Sequence, residues 1–260
     1  MATPTDHARI DVDSPGVARL TICNAGSMTI LNSKVIDSLR QAIETLGQRK
    51  GIRALVIQGE TEKAFIGGAD IKEMATLQQG SAEAFITRLR DLCEAARMFP
   101  APVIARIPGW CLGGGLEFAL CCDFRIASNQ AKFAMPEVKV GIPSVIHAAM
   151  LPRVMGTSRA RWLVMTGATI GADTALQWSL VDTVAAPDKL DAEVETLLTE
   201  LLECGAEALA AQKVLIRKWD ELPLTEAVNA SIPIFGRSFL TDEPHKHMQA
   251  FINRPRPAKA

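Results

Sequence analysis

The chain has no tyrosine among its 260 residues, no Cys-x-x-Cys pair, and no apolar run approaching the ~18 residues of a membrane span. It also lacks a charge imbalance, with 28 Lys and Arg set against 29 Asp and Glu for a formal net charge of −1. Near-neutrality gives no global attraction to nucleic acid or to an anionic membrane. The six cysteines (Cys23, Cys93, Cys111, Cys121, Cys122 and Cys204) show no linear metal-ligand spacing, and most sit in apolar runs, so they read as reduced thiols. Met1 to His7 carry neither the apolar core of a secretory signal nor the Arg-rich amphipathic character of a transit peptide. The expectation is a cytoplasmic protein with no nucleic-acid partner and no membrane span.

What is present is an ordinary globular composition, 48% apolar and 22% charged, long enough for one large core or for a core with an appendage. Alternation on either side of Ser14-Pro15-Gly16 predicts an opening hairpin. A β-then-α rhythm follows: a helix from Asn32 with Val35, Ile36, Leu39, Ile43 and Leu46 on one face, then a buried strand over Ile52 to Gln58. An amphipathic helix is predicted over Ser81 to Phe99, and helices over Ser144 to Met155, Ser158 to Thr166 and Thr169 to Trp178. After a last strand at Val181 to Ala185, only helical periodicities remain: Leu190 to Cys204, Ala206 to Trp219, Leu224 to Leu240 and Glu243 to Ile252. The reading is an α/β core over residues 1–200 and an all-helical region over 201–260.

Two glycine-rich strand-to-helix turns stand out. Gly113-Gly114-Gly115-Leu116-Glu117 follows the apolar run Pro102 to Ile107, and Gly67-Gly68-Ala69-Asp70 places a good N-cap at Asp70. Glycine lets backbone approach a ligand closely, and the free N–H groups of a helix start favour negative charge. No Lys-Ser/Thr pair follows the glycines, so a phosphate loop fails; a dinucleotide fingerprint lacks its third glycine near Phe118, and no G-x-S-x-G elbow occurs. The two turns can converge amides on one carbonyl oxygen, with Glu117 and Glu137 able to move protons beside it. Pro136 at a helix N1 position would place Glu137 in a first turn. Tight turns and helix-start charges account for the same residues equally well on spacing alone.

Ala64 to Met74, Pro102 to Asp123, Met135-Pro136-Glu137 with Gly141-Ile142-Pro143, and Ser238 to Asp242 with Ala250-Phe251 resemble, in register, the signatures of the enoyl-CoA hydratase/isomerase (crotonase) superfamily. The resemblance covers nearly the whole chain. It implies a crotonase-like spiral of ββα units with a C-terminal helical trimerisation region, assembling as a trimer or a dimer of trimers. It further implies an acyl-CoA thioester substrate, oxyanion-hole amides at Ala69 and Gly114, and water and proton handling by Glu117 and Glu137. Substrate contacts are expected at Gly68, Asp70, Ile71, Lys72, Trp110, Gly113 and His147, with Lys72 and Arg254 as cations for the CoA phosphates and no cofactor or metal.

Both glutamates being present points to a hydratase. An isomerase or an acyl-CoA hydrolase of the same fold is the alternative, and a non-catalytic acyl-CoA- or RNA-binding member a further one. The sequence departs from the family pattern at Ser144-Val145-Ile146-His147, where the family has glycines, so the acyl pocket is expected to be reshaped there with an imidazole close by. Pro108 and Trp110 alter the approach to the oxyanion turn. The lack of tyrosine disfavours phenolic acyl groups, which tyrosine hydroxyls would be expected to hold.

Overall fold

A computed structural model describes residues 6–253. The elements in order are β1 (Ala8–Val12), β2 (Val17–Ile22), β3 (Ile30–Leu31), α1 (Ser33–Gly47), β4 (Ala54–Gly59), β5 (Ala64–Ile66), β6 (Gly68–Ala69), α2 (Ile71–Met74) and α3 (Gln79–Arg97). Next come β7 (Val103–Ile107), β8 (Trp110–Leu112), α4 (Gly114–Leu120), β9 (Phe124–Ser128), β10 (Lys132–Ala134), α5 (Leu151–Met155), α6 (Thr157–Thr166), β11 (Ile170–Gly171), α7 (Ala172–Gln177) and β12 (Thr183–Ala185). The last helices are α8 (Leu190–Glu203), α9 (Ala206–Glu221), α10 (Leu224–Ser238) and α11 (Glu243–Ile252). Two compact units divide between Leu198 and Thr199.

In the first unit a six-stranded sheet runs in the order β1-β2-β4-β7-β9-β12, antiparallel only at the β1-β2 hairpin. Strand β7 is buried along its whole length, as a parallel strand covered on both faces must be. A second sheet, β11-β10-β8-β5, and the short pair β3-β6 carry the glycine turns. Helix α1 is held at its start by Asn32, whose side chain accepts the Val35 N–H, and buries the apolar stripe that its spacing predicts. Helix α3 buries Phe85, Leu89, Leu92, Cys93 and Ala96. Each such large apolar side chain contributes roughly 1.5–3 kcal/mol on burial.

The buried Arg125 guanidinium donates to the carbonyls of Leu180 and Cys122, the latter at 2.9 Å, bracing the chain where it leaves α4. Leaving buried donors unpaired would be costly, so these bonds fix that turn. Every described element of the second unit is a helix; α10 and α11 leave Leu224, Val228, Ile232, Phe235, Phe251 and Ile252 exposed, and Leu240 is exposed in the link between them.

The structure differs from the sequence expectations mainly in short elements. Pro136 caps a 3-10 turn over Glu137–Val140 rather than occupying N1 of a helix. Ser144 to Met155 is an extended stretch, a 3-10 turn at Ile146–Met150 and then α5, because Pro143 and the β-branched Val145 and Ile146 delay helix formation. Thr169 to Trp178 is split into β11 and α7. Strands β3, β6 and β8 are two or three residues long, too short for alternation to reveal them.

Candidate active site

The two glycine turns lie side by side. Immediately after β6 the Asp70 N–H is bonded to Leu31 O, so the N–H of Ala69, the residue before it, faces the opposite way from β3. Asp70 then caps α2, accepting from Lys72 N at 2.8 Å and Glu73 N at 3.3 Å. At the other turn Gly113 takes φ 51° with its N–H bonded to Ala134 O, and Gly114 opens α4 as its first helical residue. An amide at that position has no partner within its helix. A side chain on Gly113 would stand 2.5 Å from Glu137 Oε1, and one on Gly115 2.5 Å from Ile66 O. Glycine is therefore required at Gly113 by dihedral and by contact, and at Gly115 by contact with β5.

Both carboxyl groups reach the same cavity, of about 490 Å³, together with Gly68, Ala69, Gly113 and Gly114. Glu117 lies on the inner face of α4, is 3% exposed, and accepts the Ala148 N–H at 3.0 Å on Oε1. Burial pushes its pKa up to about 8; the Ala148 amide opposes this and the Glu137 charge adds to it. Glu137 sits half-buried on the 3-10 turn that Gly141 ends in the left-handed conformation, and its Oε2 accepts the Ser144 hydroxyl at 2.8 Å. Apart from the exposed Glu83 on α3, the rest of the wall is apolar: Ile71 and Met74 from α2, Leu77 from the link to α3, Phe85, Ile86 and Leu89 from α3, and Val140, Ile142 and Val145 from the Glu137 turn and the stretch after it. Such a lining suits a hydrocarbon chain with its polar end at the glycine turns.

Of the other residues named from sequence, Ile71 lines this cavity while Lys72 stands exposed one residue on. Two are placed elsewhere. Trp110 lies in β8, paired with Ala64 and Lys132, and is not part of the cavity wall. His147 also points away from the cavity: its Nε2 donates to Glu94 Oε1 at 2.7 Å, and Val145 occupies the wall instead. Burial disfavours the charged ring, but the Cys121 thiol and the Glu94 carboxylate beside it outweigh burial and raise the His147 pKa. The imidazole thus braces the turn whose Ala148 N–H holds Glu117, behind the wall rather than in it. Arg254 lies outside the described residues.

Sequence reasoning did not find Ser144 as the partner of Glu137 or the wall residues Val140, Ile142 and Leu77. For Phe85 and Leu89 the helical period gave the signal, since one apolar stripe of α3 serves both the core and the cavity.

Comparison with known proteins agrees with this geometry. Residues 13–258 match the enoyl-CoA hydratase/isomerase family. The chain is 32% identical over 239 residues to a crotonyl-CoA hydratase of Syntrophomonas wolfei, covering 92% of each chain. It is 30% identical to a short-chain-enoyl-CoA hydratase of Clostridium acetobutylicum, again over 92% of each. Its fold superposes on an enoyl-CoA hydratase of Bacillus anthracis with a TM-score of 0.91 at 26% identity, covering 97% of this chain and 98% of that one. The chain belongs to the enoyl-CoA hydratase/isomerase family and has its crotonase fold.

Proposed function

We propose that this protein is an enoyl-CoA hydratase, adding water across the double bond of a 2-enoyl-CoA thioester. The observation that carries the reading is the meeting of Glu117, Glu137 and two glycine turns in one cavity whose wall is mostly apolar. In this reading the thioester oxygen lies between the Ala69 and Gly114 amides, which take up the charge of the enolate as it forms. Removing one such donor typically costs about 2.7–4 kcal/mol of transition-state stabilisation.

Balance of the reaction needs one protonated and one ionised carboxyl group. Water attacks the β carbon and gives its proton to the carboxylate, while the carboxylic acid delivers its own proton to the α carbon, leaving the pair with one proton again. The raised pKa of Glu117 supplies the protonated member below about pH 8. No cofactor is needed for these steps. In this reading the exposed Lys72, on the short helix that follows Ala69, meets a CoA phosphate.

We further propose a homo-oligomer, a trimer or a dimer of trimers, acting in the cytoplasm. Support comes from the exposed apolar row Leu224, Val228, Ile232 and Phe235 along α10. Among the described residues no helix is long and apolar enough to cross a membrane.

The test is hydration of a panel of short, branched and medium 2-enoyl-CoA thioesters, followed by loss of the enoyl absorbance, with thiol release measured alongside. Glu117→Gln and Glu137→Gln should each slow hydration by roughly 10²–10⁴-fold, the usual contribution of a positioned acid or base. Absence of hydration across the panel, or thiol release in its place, would overturn the reading in favour of an isomerase or a hydrolase.

A further inference from the structure

Linear spacing shows no metal motif, yet the fold brings three soft ligands together behind the acyl cavity. Cys93 Sγ on α3, Cys121 Sγ at the end of α4 and a ring nitrogen of His147 all lie within 4.8 Å of one another. Cys93 and Cys121 are buried, and His147 is 9% exposed. None of the three lines the cavity, and the hydration chemistry proposed above uses none of them.

The histidine supplies the second observation. Its Nε2 is committed to Glu94, so in the neutral ring the lone pair falls on Nδ1. That Nδ1 is buried and makes no hydrogen bond of ordinary geometry. A buried ring nitrogen close to two thiols, with a carboxylate on the other ring nitrogen, is the arrangement in which imidazole ligates a metal. We infer that Cys93, Cys121 and His147 form a site for a thiophilic d10 cation of the Zn²⁺ type.

The charge count favours such an ion. The thiols, and the imidazole where it is protonated, release their protons to solvent on binding, and two thiolates with a neutral imidazole cancel a divalent charge, so the buried complex carries no net charge. Sulfur and imidazole donors do not suit Mg²⁺ or Ca²⁺, which demand oxygen ligands. With Zn–S near 2.3 Å and Zn–N near 2.0–2.1 Å, tetrahedral donors sit roughly 3.5–3.8 Å apart, so the set needs an adjustment of about 1 Å. The fourth position is left to water. An ion there would cross-link α3, α4 and the 146–150 turn, the three segments that enclose Glu117.

The experiment uses the reduced, chelator-washed full chain, titrated with Zn²⁺ against a chromophoric chelator and with Co²⁺ followed by absorption. The expected result is one ion per chain and a thiolate-to-cobalt band. Glu94→Gln should weaken Zn²⁺ binding by roughly 10–100-fold, as loss of a carboxylate behind a ligating imidazole does. Cys93→Ser and Cys121→Ser should weaken it further, and Cys204→Ser, on the exposed thiol, should bind as the wild type does. Failure of the wild-type chain to take up one Zn²⁺, or a cobalt spectrum without the thiolate band, overturns the site. So does wild-type affinity in Glu94→Gln, whose side chain is 37% exposed and can change without disturbing the buried thiols.

Discussion

Glu117 and Glu137 face one cavity but are held in opposite ways. Glu117 is 3% exposed on a packed helix, with a single backbone amide on its carboxyl group. Glu137 rides a 3-10 turn, half-buried, tied by a side-chain hydroxyl and resting against Gly113. The difference teaches that two identical side chains acquire different tasks from their surroundings: burial sets the protonation of the first, and a replaceable contact sets the position of the second.

The largest expected effect breaks this division outright. Glu117→Gln keeps shape and hydrogen-bonding capacity but removes the proton, so kcat should fall by roughly 10²–10⁴-fold. The same change should make the protein more tolerant of alkali. Because the folded-state pKa of Glu117 lies above its ordinary value of 4.5, its neutral form stabilises the fold fully below that value. That contribution is lost as pH rises toward about 8, and the Gln variant lacks the loss. Between these pH values the wild-type denaturant midpoint should fall progressively below that of the Gln variant, and identical slopes would contradict the assignment.

Next in size is Gly113→Ala. A methyl 2.5 Å from Glu137 Oε1, on a residue at φ 51°, must displace the carboxylate and strain the turn. Backbone strain of this kind costs about 1–3 kcal/mol, so a lower Tm should accompany a fall in kcat larger than that in substrate affinity. A more delicate probe is pH. The alkaline limb of kcat/KM should lie near the Glu117 pKa of about 8, and Glu137→Gln should shift it downward by removing a neighbouring negative charge. An unmoved limb would uncouple the two groups. The smallest effect belongs to Ser144→Ala, which removes one hydroxyl donor worth about 1 kcal/mol and should slow turnover roughly fivefold.

Much of this arrangement is legible in sequence because it rests on local rules. The helical stripes of α1 and α3, the Asp70 cap and both glycine turns follow from period, capping chemistry and dihedral demand. The final four helices are read to within a few residues at their ends, since their stripes are long and no strand interrupts them. What escapes is what the fold assembles from afar. His147 has no visible partner in sequence because Glu94 lies 53 residues away, and the expected place in the pocket wall is taken by Val145. Trp110 is expected from sequence to alter the approach to the oxyanion turn, yet it belongs to a three-residue strand whose neighbours are set only by sheet register. Ser144 has no motif, and its role appears only once the turn after Gly141 brings it back to Glu137.

Helix α2 has one more consequence. It buries none of its residues, yet Ile71 and Met74 form part of the cavity wall. Polar bonds fasten it: the Asp70 cap at its start, and the Glu73 carboxylate, which accepts both the N–H and the hydroxyl of Ser33 at the head of α1. With only Met74 of its four residues packed against the core, a wall held largely by hydrogen bonds opens locally at lower cost than the core behind it. Asp70 and Glu73, two carboxylates outside the proposed proton-transfer pair, thus hold one side of the cavity, so the firmness of that wall is set by groups other than those assigned the chemistry.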